Sequence, residues 1–135
     1  MENELILCDT DVIIDFFDRD KPRHQSTYDL ILPLYNENLI CVSVITVMEV
    51  LSGLTNKAEW KRGSEQLAAL NSFLITPECS LRALNLMQAY RLSHGLSIPD
   101  ALIAATALEL VRPLFTYNKK HFKFIKGLRL WNPGK

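Results

Sequence analysis

The sequence lacks the features that would assign it to a disulfide-rich, zinc-binding or membrane-spanning class. Its three cysteines are an odd number and include no Cys-x-x-Cys pair, which argues against a disulfide framework and against a zinc site. No apolar run approaches the roughly eighteen residues of a membrane span. The acidic start of the chain also lacks the positively charged leader of a signal peptide. Together these absences predict a protein of the reducing cytoplasm.

Short motifs of several large enzyme classes are absent too. The chain has no Gly-x-Ser-x-Gly nucleophile elbow, no Cys–His signature and no glycine-rich phosphate loop. What is present is an ordinary globular composition, with 48% hydrophobic and 22% charged residues in a chain of 135. A chain of this length buries a core without disulfides or a structural metal. We therefore expect one folded domain spanning residues 1–135.

The net charge is zero, but the charges are unevenly distributed along the chain. Seven acids and one base lie between Glu2 and Asp20, whereas six bases and no acid lie between Lys119 and Lys135. A solvated terminal face would explain the basic end. The alternative is an acidic site beside a basic rim that attracts phosphates over about 8–10 Å.

Short apolar runs alternate with longer amphipathic segments, and this alternation predicts an α/β fold with a mostly parallel sheet. The runs are typical of strands buried on both faces. Helical spacing of apolar residues predicts helices between them, one of them starting near a cap at Ser80 and ending at Gly95. The five predicted strands lie at 5–8, 39–42, 73–75, 114–116 and 128–131.

Four acidic residues near predicted strand ends or helix starts each have a structural explanation when taken singly. Asp9 ends the first strand, and Asp11 is placed to cap the following helix. Glu49 follows Thr46 with the Thr-x-x-Glu spacing of a capping box. Asp100 is a first-turn carboxylate that the helix dipole favours.

Taken together, the same acids suggest chemistry. In a parallel sheet the helix starts share one edge, so their carboxylates converge beyond the carboxyl ends of the strands. Like charges at short range repel or take up protons, and a hard cation such as Mg²⁺ or Mn²⁺ relieves that repulsion. A metal held by carboxylates suits phosphodiester hydrolysis, because it lowers the pKa of a bound water and stabilises the leaving oxygen.

Several segments, read in chain order, resemble the PIN-domain family, and the compact length is similar to that of its VapC-like toxins. The resemblance covers nearly the whole chain. Its most distinctive part is an aspartate at the start of a helix of small residues. The segments are DTDVIID at 9–15, SVITVMEVLSG at 43–53, DALIAATA at 100–107, TYNKKHF at 116–122 and LRLWNP at 128–133.

The resemblance implies a three-layer α/β/α fold with about five strands and a metal-binding acidic centre. Asp9 and Asp100 would be direct Mg²⁺ ligands, with Mn²⁺ as a plausible substitute, and Glu49 would act through water. The family's fourth acidic residue is replaced by Asn118, which offers an oxygen without charge. Thr116 and Asp11 would support the site, Lys119 and Lys120 are candidate RNA contacts, and His121 is expected to pack or to be solvated.

The resemblance further implies a metal-dependent endoribonuclease that cuts RNA, forms a homodimer and is neutralised by a small antitoxin. A PIN nuclease of RNA processing and a catalytically degraded PIN module that binds protein are alternatives, and Asn118 favours the latter. A haloacid-dehalogenase-type phosphatase shares the Asp-x-Asp of residues 9–11. It fits less well, because Ile13 stands where Thr or Val is expected and Glu109 is the one acid after Asp100.

Overall fold

A computed structural model describes residues 4–133, so Glu2 and Lys135 of the charge pattern lie outside the described residues. The strands and helices alternate along most of the chain, as the apolar pattern predicts. In chain order the elements are β1 (Ile6–Cys8), α1 (Thr10–Phe17), α2 (His24–Asn36), β2 (Ile40–Ser43), α3 (Val44–Ser52), α4 (Lys57–Ala68), β3 (Asn71–Phe73), α5 (Pro77–His94), α6 (Ile98–Leu110), β4 (Leu114–Phe115) and the 3₁₀ turn η1 (Lys119–His121).

The four strands form one parallel sheet in the order β3-β2-β1-β4. β1 lies in the middle, where Leu7 is opposite Cys41 of β2 and Leu114 of β4. Strands β1, β2 and β4 are buried throughout. The predicted α/β class and parallel sheet are confirmed, and the carboxyl ends of the central strands lie at one edge.

Helices cover both faces of the sheet, which confirms the predicted three-layer architecture. Because successive side chains of a strand point to opposite faces, β1 contributes to two cores. Leu7 packs in a core with residues of α5 and α6 such as Leu86 and Ala104. Ile6 and Cys8 pack in a second core with residues of α1 and α2.

The predicted fifth strand is reduced to a single bridge, so the sheet has four strands rather than about five. Leu130 pairs with Leu114 in parallel. The N–H of Trp131 donates to the carbonyl of Leu114 at 2.8 Å, and the N–H of Leu114 donates to the carbonyl of Arg129 at 2.9 Å. Because β4 has only two residues, the segment around Leu130 has no longer strand with which to pair.

The third strand was predicted two residues too late. It covers Asn71–Phe73, and Leu74, predicted to be inside it, is 74% exposed. Pairing stops at Phe73 because its partner Ser43 is the last residue of β2, and α3 begins at Val44.

Helix ends follow local capping chemistry. The predicted cap at Ser80 is wrong, because α5 begins at Pro77 and the Thr76 hydroxyl accepts the Cys79 N–H at 3.0 Å. Gly95 ends the helix with a φ of 70°, which confirms the predicted end and suits a residue without a Cβ. Within residues 4–133, no helix combines the length and apolar character that crossing a bilayer requires.

Candidate active site

Asp9 lies directly after β1, at the carboxyl edge of the sheet, and is 5% exposed. Its Oδ1 accepts the Thr10 N–H at 2.8 Å, and its Oδ2 accepts the Thr116 hydroxyl at 2.7 Å. Asp9 is therefore the cap of α1, and the prediction that Asp11 fills that role is wrong. Two different segments fix the carboxylate, and each oxygen retains capacity for another partner.

Glu49 does not belong to a capping box, contrary to the sequence expectation. The cap of α3 is Ser43, whose hydroxyl accepts the Ile45 N–H at 3.0 Å. The Glu49 Oε1 instead accepts the hydroxyl of Thr10 at 2.5 Å, and that hydroxyl lies 3.1 Å from the Thr46 hydroxyl. Glu49 is thereby directed across to the start of α1, beside Asp9, rather than back to its own helix.

Asp100 stands in the first turn of α6. The Ser97 hydroxyl caps this helix and accepts the Asp100 N–H at 3.2 Å. Asp100 Oδ2 lies 3.5 Å from the Nδ1 of His121. His121 is exposed, in line with the expectation that it is solvated, and its ring also faces this carboxylate.

Burial and neighbouring negative charge both raise the pKa of Asp9 and of Asp100. Burial raises the pKa of Asp9, and the Glu49 charge raises it further, against the hydrogen bonds from Thr116 and Thr10 and the charge of His121. Burial, followed by the Asp9 charge, raises the pKa of Asp100, and Glu49 adds to the effect. The structure thus brings Asp9, Glu49 and Asp100 within electrostatic reach of one another. We refer to these three residues as the acidic centre.

The acidic centre fits a hard cation in donor type but is not a preformed chelate. Carboxylate oxygens are the ligands that Mg²⁺ prefers, usually alongside several retained waters. Across the described residues, no three His, Cys, Asp or Glu side chains are already grouped closely enough to hold a metal ion. Binding would therefore require side-chain movement or bridging water.

Asp11 borders the acidic centre and has one unsatisfied oxygen. Its Oδ2 accepts the Tyr117 N–H at 3.1 Å, whereas its Oδ1 is buried without a hydrogen-bond partner. Burial, reinforced by the Asp9 charge, raises the pKa of Asp11 to about 6. A buried carboxylate oxygen without a donor is costly, so this group favours a proton or a cation nearby.

The corner after β4 holds the remaining predicted residues. The Asn118 N–H donates to the Thr116 hydroxyl at 3.0 Å, which links this corner to Asp9 through Thr116. Asn118 is exposed, and its side chain makes no capping hydrogen bond to η1. Lys119 and Lys120 are exposed on that turn. Asn118 is therefore connected to the site through its backbone N–H, and its side chain forms no hydrogen bond to Asp9, Glu49 or Asp100.

Sequence reasoning missed Thr10, the role of His121 and an ion pair beside the site. Arg23 donates from Nε to the buried Asp15 at 2.6 Å and stacks 4.2 Å from the ring centroid of Tyr117. A cavity of about 360 Å³ opens there and is lined by Asp11, Ile14, Asp15, Lys21, Pro22 and Arg23. Thr10 could have been noticed between two acids, but no sequence signal links the other residues.

Comparison with solved structures finds similar folds over nearly the whole chain. A toxin–antitoxin complex from Klebsiella pneumoniae is 28% identical, with a TM-score of 0.73 over 95% of this chain and 97% of that one. VapBC2 from Rickettsia felis, bound to a fragment of its promoter DNA, is 22% identical (TM-score 0.74; 95% and 99% covered). FitAcB from Neisseria gonorrhoeae is 23% identical (TM-score 0.74; 96% and 99% covered).

Among curated proteins, none matches the chain significantly. The family model described as the PIN domain matches residues 6–127, from the first residue of β1 to the turn after η1. That span includes Asp9, Glu49 and Asp100, and it favours a fold family other than that of the phosphatase alternative. The chain belongs to the PIN domain family.

Proposed function

We propose that this PIN domain protein is a metal-dependent endoribonuclease and the toxin of a toxin–antitoxin pair. The observation that carries the proposal is the acidic centre. Three carboxylates, at the β1–α1 junction, on α3 and on α6, lie within electrostatic reach at the carboxyl edge of the sheet, where the Glu49 charge raises the pKa of Asp9 and of Asp100. Family membership supports nuclease chemistry, and the similar solved structures named above support the toxin assignment.

In this proposal Asp9 and Asp100 hold Mg²⁺ or Mn²⁺ directly, and Glu49 does so through water. The bound ion would supply a Lewis acid that lowers the pKa of a water and offsets charge on the leaving oxygen. The protein's own part is to keep the ligands in place. The Thr116 and Thr10 hydroxyls orient the carboxylates of Asp9 and Glu49, as partners behind metal ligands commonly do.

The substrate is inferred from charge, and the partners are inferred from family membership and from the similar toxin–antitoxin complexes. Phosphates of a single-stranded or structured RNA would meet Lys119 and Lys120, which are exposed beside the corner after β4. A cognate antitoxin would neutralise the acidic centre by placing a segment in its groove. The protein would act as a single-domain subunit of a homodimer in the cytoplasm.

Cleavage of single-stranded RNA by the purified protein tests the catalytic part of the proposal. We expect cleavage with Mg²⁺ or Mn²⁺ that stops on addition of EDTA. Asp9→Asn and Asp100→Asn should each lower the rate by on the order of a thousandfold, which equals about 4 kcal/mol of transition-state stabilisation. The exposed Asp20→Asn is the matched control. Cleavage that persists in EDTA, or normal activity in both variants, would reject the mechanism.

A catalytically degraded PIN module is the second candidate, favoured by the uncharged Asn118 and by the lack of a preformed chelate. Titration calorimetry with Mn²⁺ separates the two. A nuclease binds the ion and loses that binding in Asp9→Asn, whereas a degraded module binds no ion at this site.

The toxin assignment needs its own test, because a PIN nuclease of RNA processing would pass the cleavage assay. Expression of the chain should arrest growth, and we expect a short reading frame next to its gene whose co-expression restores growth. Normal growth during expression of active enzyme would favour RNA processing.

A further inference from the structure

The end of α5 and the segment after η1 together form an exposed surface with both aromatic rings and positive charges. Three rings, which we call the aromatic platform, meet there: Tyr90, His94 and Phe124. The rings of His94 and Phe124 are stacked, with centroids 4.2 Å apart and planes 14° apart. Tyr90 contacts both, at 5.8 Å from His94 and 5.2 Å from Phe124.

The platform is anchored by hydrogen bonds but remains accessible. The Tyr90 hydroxyl accepts the backbone N–H of Lys126 at 3.1 Å, and Arg91 donates to the carbonyls of Gly95 and Leu96. Tyr90 and Phe124 pack partly against the core. His94, in contrast, is exposed, so part of its ring is open to solvent. An exposed ring stacked on a fixed ring is available to a further flat group.

The two chain segments that carry the platform hold charge of one sign. Lys123 and Lys126 are exposed on either side of Phe124, and Arg91 is exposed beside Tyr90. Neither residues 88–99 nor residues 111–135 contain an acidic residue. Clustered cations attract a polyanion, and the sign excludes a basic peptide as the favoured partner.

Both chain segments that carry the platform also lead to the acidic centre. His94 precedes Asp100 by six residues, and Phe124 follows His121 by three. His121 and Asp100 face each other at 3.5 Å. A strand of nucleic acid in contact with Lys119 and Lys120 therefore reaches the platform along residues 119–126, a segment that itself contains no acidic residue.

We propose that the aromatic platform and its flanking lysines form a second RNA-binding site, which stacks an unpaired base on His94 while Lys123 and Lys126 contact the adjacent phosphates. The proposal rests on the ribonuclease function above, and it assigns single-stranded RNA as the bound form. Stacking is tolerant of sequence because every base has a π face. The site therefore increases affinity without selecting a particular base.

Binding of a labelled, uridine-rich single-stranded RNA in EDTA tests the site without cleavage. We expect His94→Ala to weaken binding about fivefold or more, and His94→Phe to retain wild-type affinity. The Lys123→Gln/Lys126→Gln double variant should lower the slope of log affinity against log salt by about 1.4, from two lost phosphate contacts. The matched control is Lys57→Gln/Lys61→Gln on α4, which packs on the opposite face of the sheet, and its slope should equal that of the wild type.

Several outcomes would overturn the site. If the wild-type protein cleaves RNA and all variants bind it equally, the platform is not an RNA site, although the nuclease function stands. If the variants keep RNA affinity but bind the co-expressed antitoxin less well, the surface serves a protein. If the wild-type protein neither cleaves nor binds RNA, both proposals are wrong. An unchanged melting temperature for His94→Ala shows that lost affinity is not lost folding.

Discussion

The acidic centre and the aromatic platform are built in opposite ways. In the acidic centre, Asp9 is buried and held by hydrogen bonds from two segments, and Glu49 is held by the Thr10 hydroxyl. In the aromatic platform His94 is exposed, and so is the flanking Lys123. The two regions therefore differ in burial: the acids of the centre are buried or half-buried, whereas the basic side chains beside the platform are exposed.

This difference predicts how each region responds to mutation. Carboxylates whose positions depend on neighbouring hydroxyls should lose function sharply when one hydroxyl is removed, because a small displacement disturbs metal ligands strongly. Exposed side chains that contact RNA independently should contribute in graded steps.

Thr116→Val should lower the cleavage rate about 10- to 100-fold, because Asp9 Oδ2 loses the donor that fixes it. Thr116→Ser keeps the hydroxyl and should stay within a few-fold of the wild type. Steady-state cleavage with saturating metal is the measurement, with circular dichroism to confirm the fold. Equal activity of the Val and Ser variants would show that the acidic centre does not depend on this contact.

Stability without metal should fall as the pH rises from about 4 to about 6. The pKa of Asp11 is raised to about 6, so in this window the folded state holds a proton that the unfolded state has released. The loss should be roughly 1–2 kcal/mol after allowance for solvent screening. Asp11→Asn should flatten the profile, measured by denaturant unfolding in EDTA.

The raised pKa values of Asp9 and Asp100 act in the same direction, so residual pH dependence should remain in Asp11→Asn. The exposed Asp20→Asn variant serves as the surface control. Stability that rises with pH through this window would contradict the assigned burial. Added Mg²⁺ should stabilise the protein more at pH 8 than at pH 5, because protons compete with the ion for these oxygens.

Asn118→Asp should have the smallest effect, a severalfold gain in Mn²⁺ affinity. The substitution adds a negative charge at the corner after β4. Sites built from oxygen ligands bind divalent cations more tightly when more of those ligands are charged. Asn118→Ser is the neutral control. Isothermal calorimetry measures both variants, and an unchanged affinity in Asn118→Asp would place this corner outside the metal's reach.

Much of the fold could be predicted because buried strands appear in the sequence as short, continuous apolar runs. Residues 5–8, for example, are all apolar, as expected of a central strand that is buried on both faces. The edge was harder, since β3 begins with the exposed Asn71 and Ser72 and its end is set by the length of β2. Helix α4 was not predicted, because its polar sequence buries few apolar residues, among them Leu67.

The candidate site was predictable by residue type but not by contact. A Thr-x-x-Glu spacing indicates a capping box from local sequence alone, yet Glu49 bonds to Thr10, 39 positions earlier in the chain. The pairing of Asp100 with His121 depends likewise on how α6 packs beside η1. A local sequence pattern cannot show whether the hydrogen-bond donor of a carboxylate is close by in the sequence or far away, because either donor can bond to the same oxygen.

The central claim, that Asp9, Glu49 and Asp100 act together to hold one divalent cation, is tested most directly by crystals of the protein soaked in Mn²⁺. Anomalous scattering should show an ion bonded to carboxylate oxygens of Asp9 and Asp100, with Glu49 joined through a water. Well-ordered crystals that show these carboxylates without an ion at saturating Mn²⁺, or an ion bound elsewhere in the chain, would contradict the account.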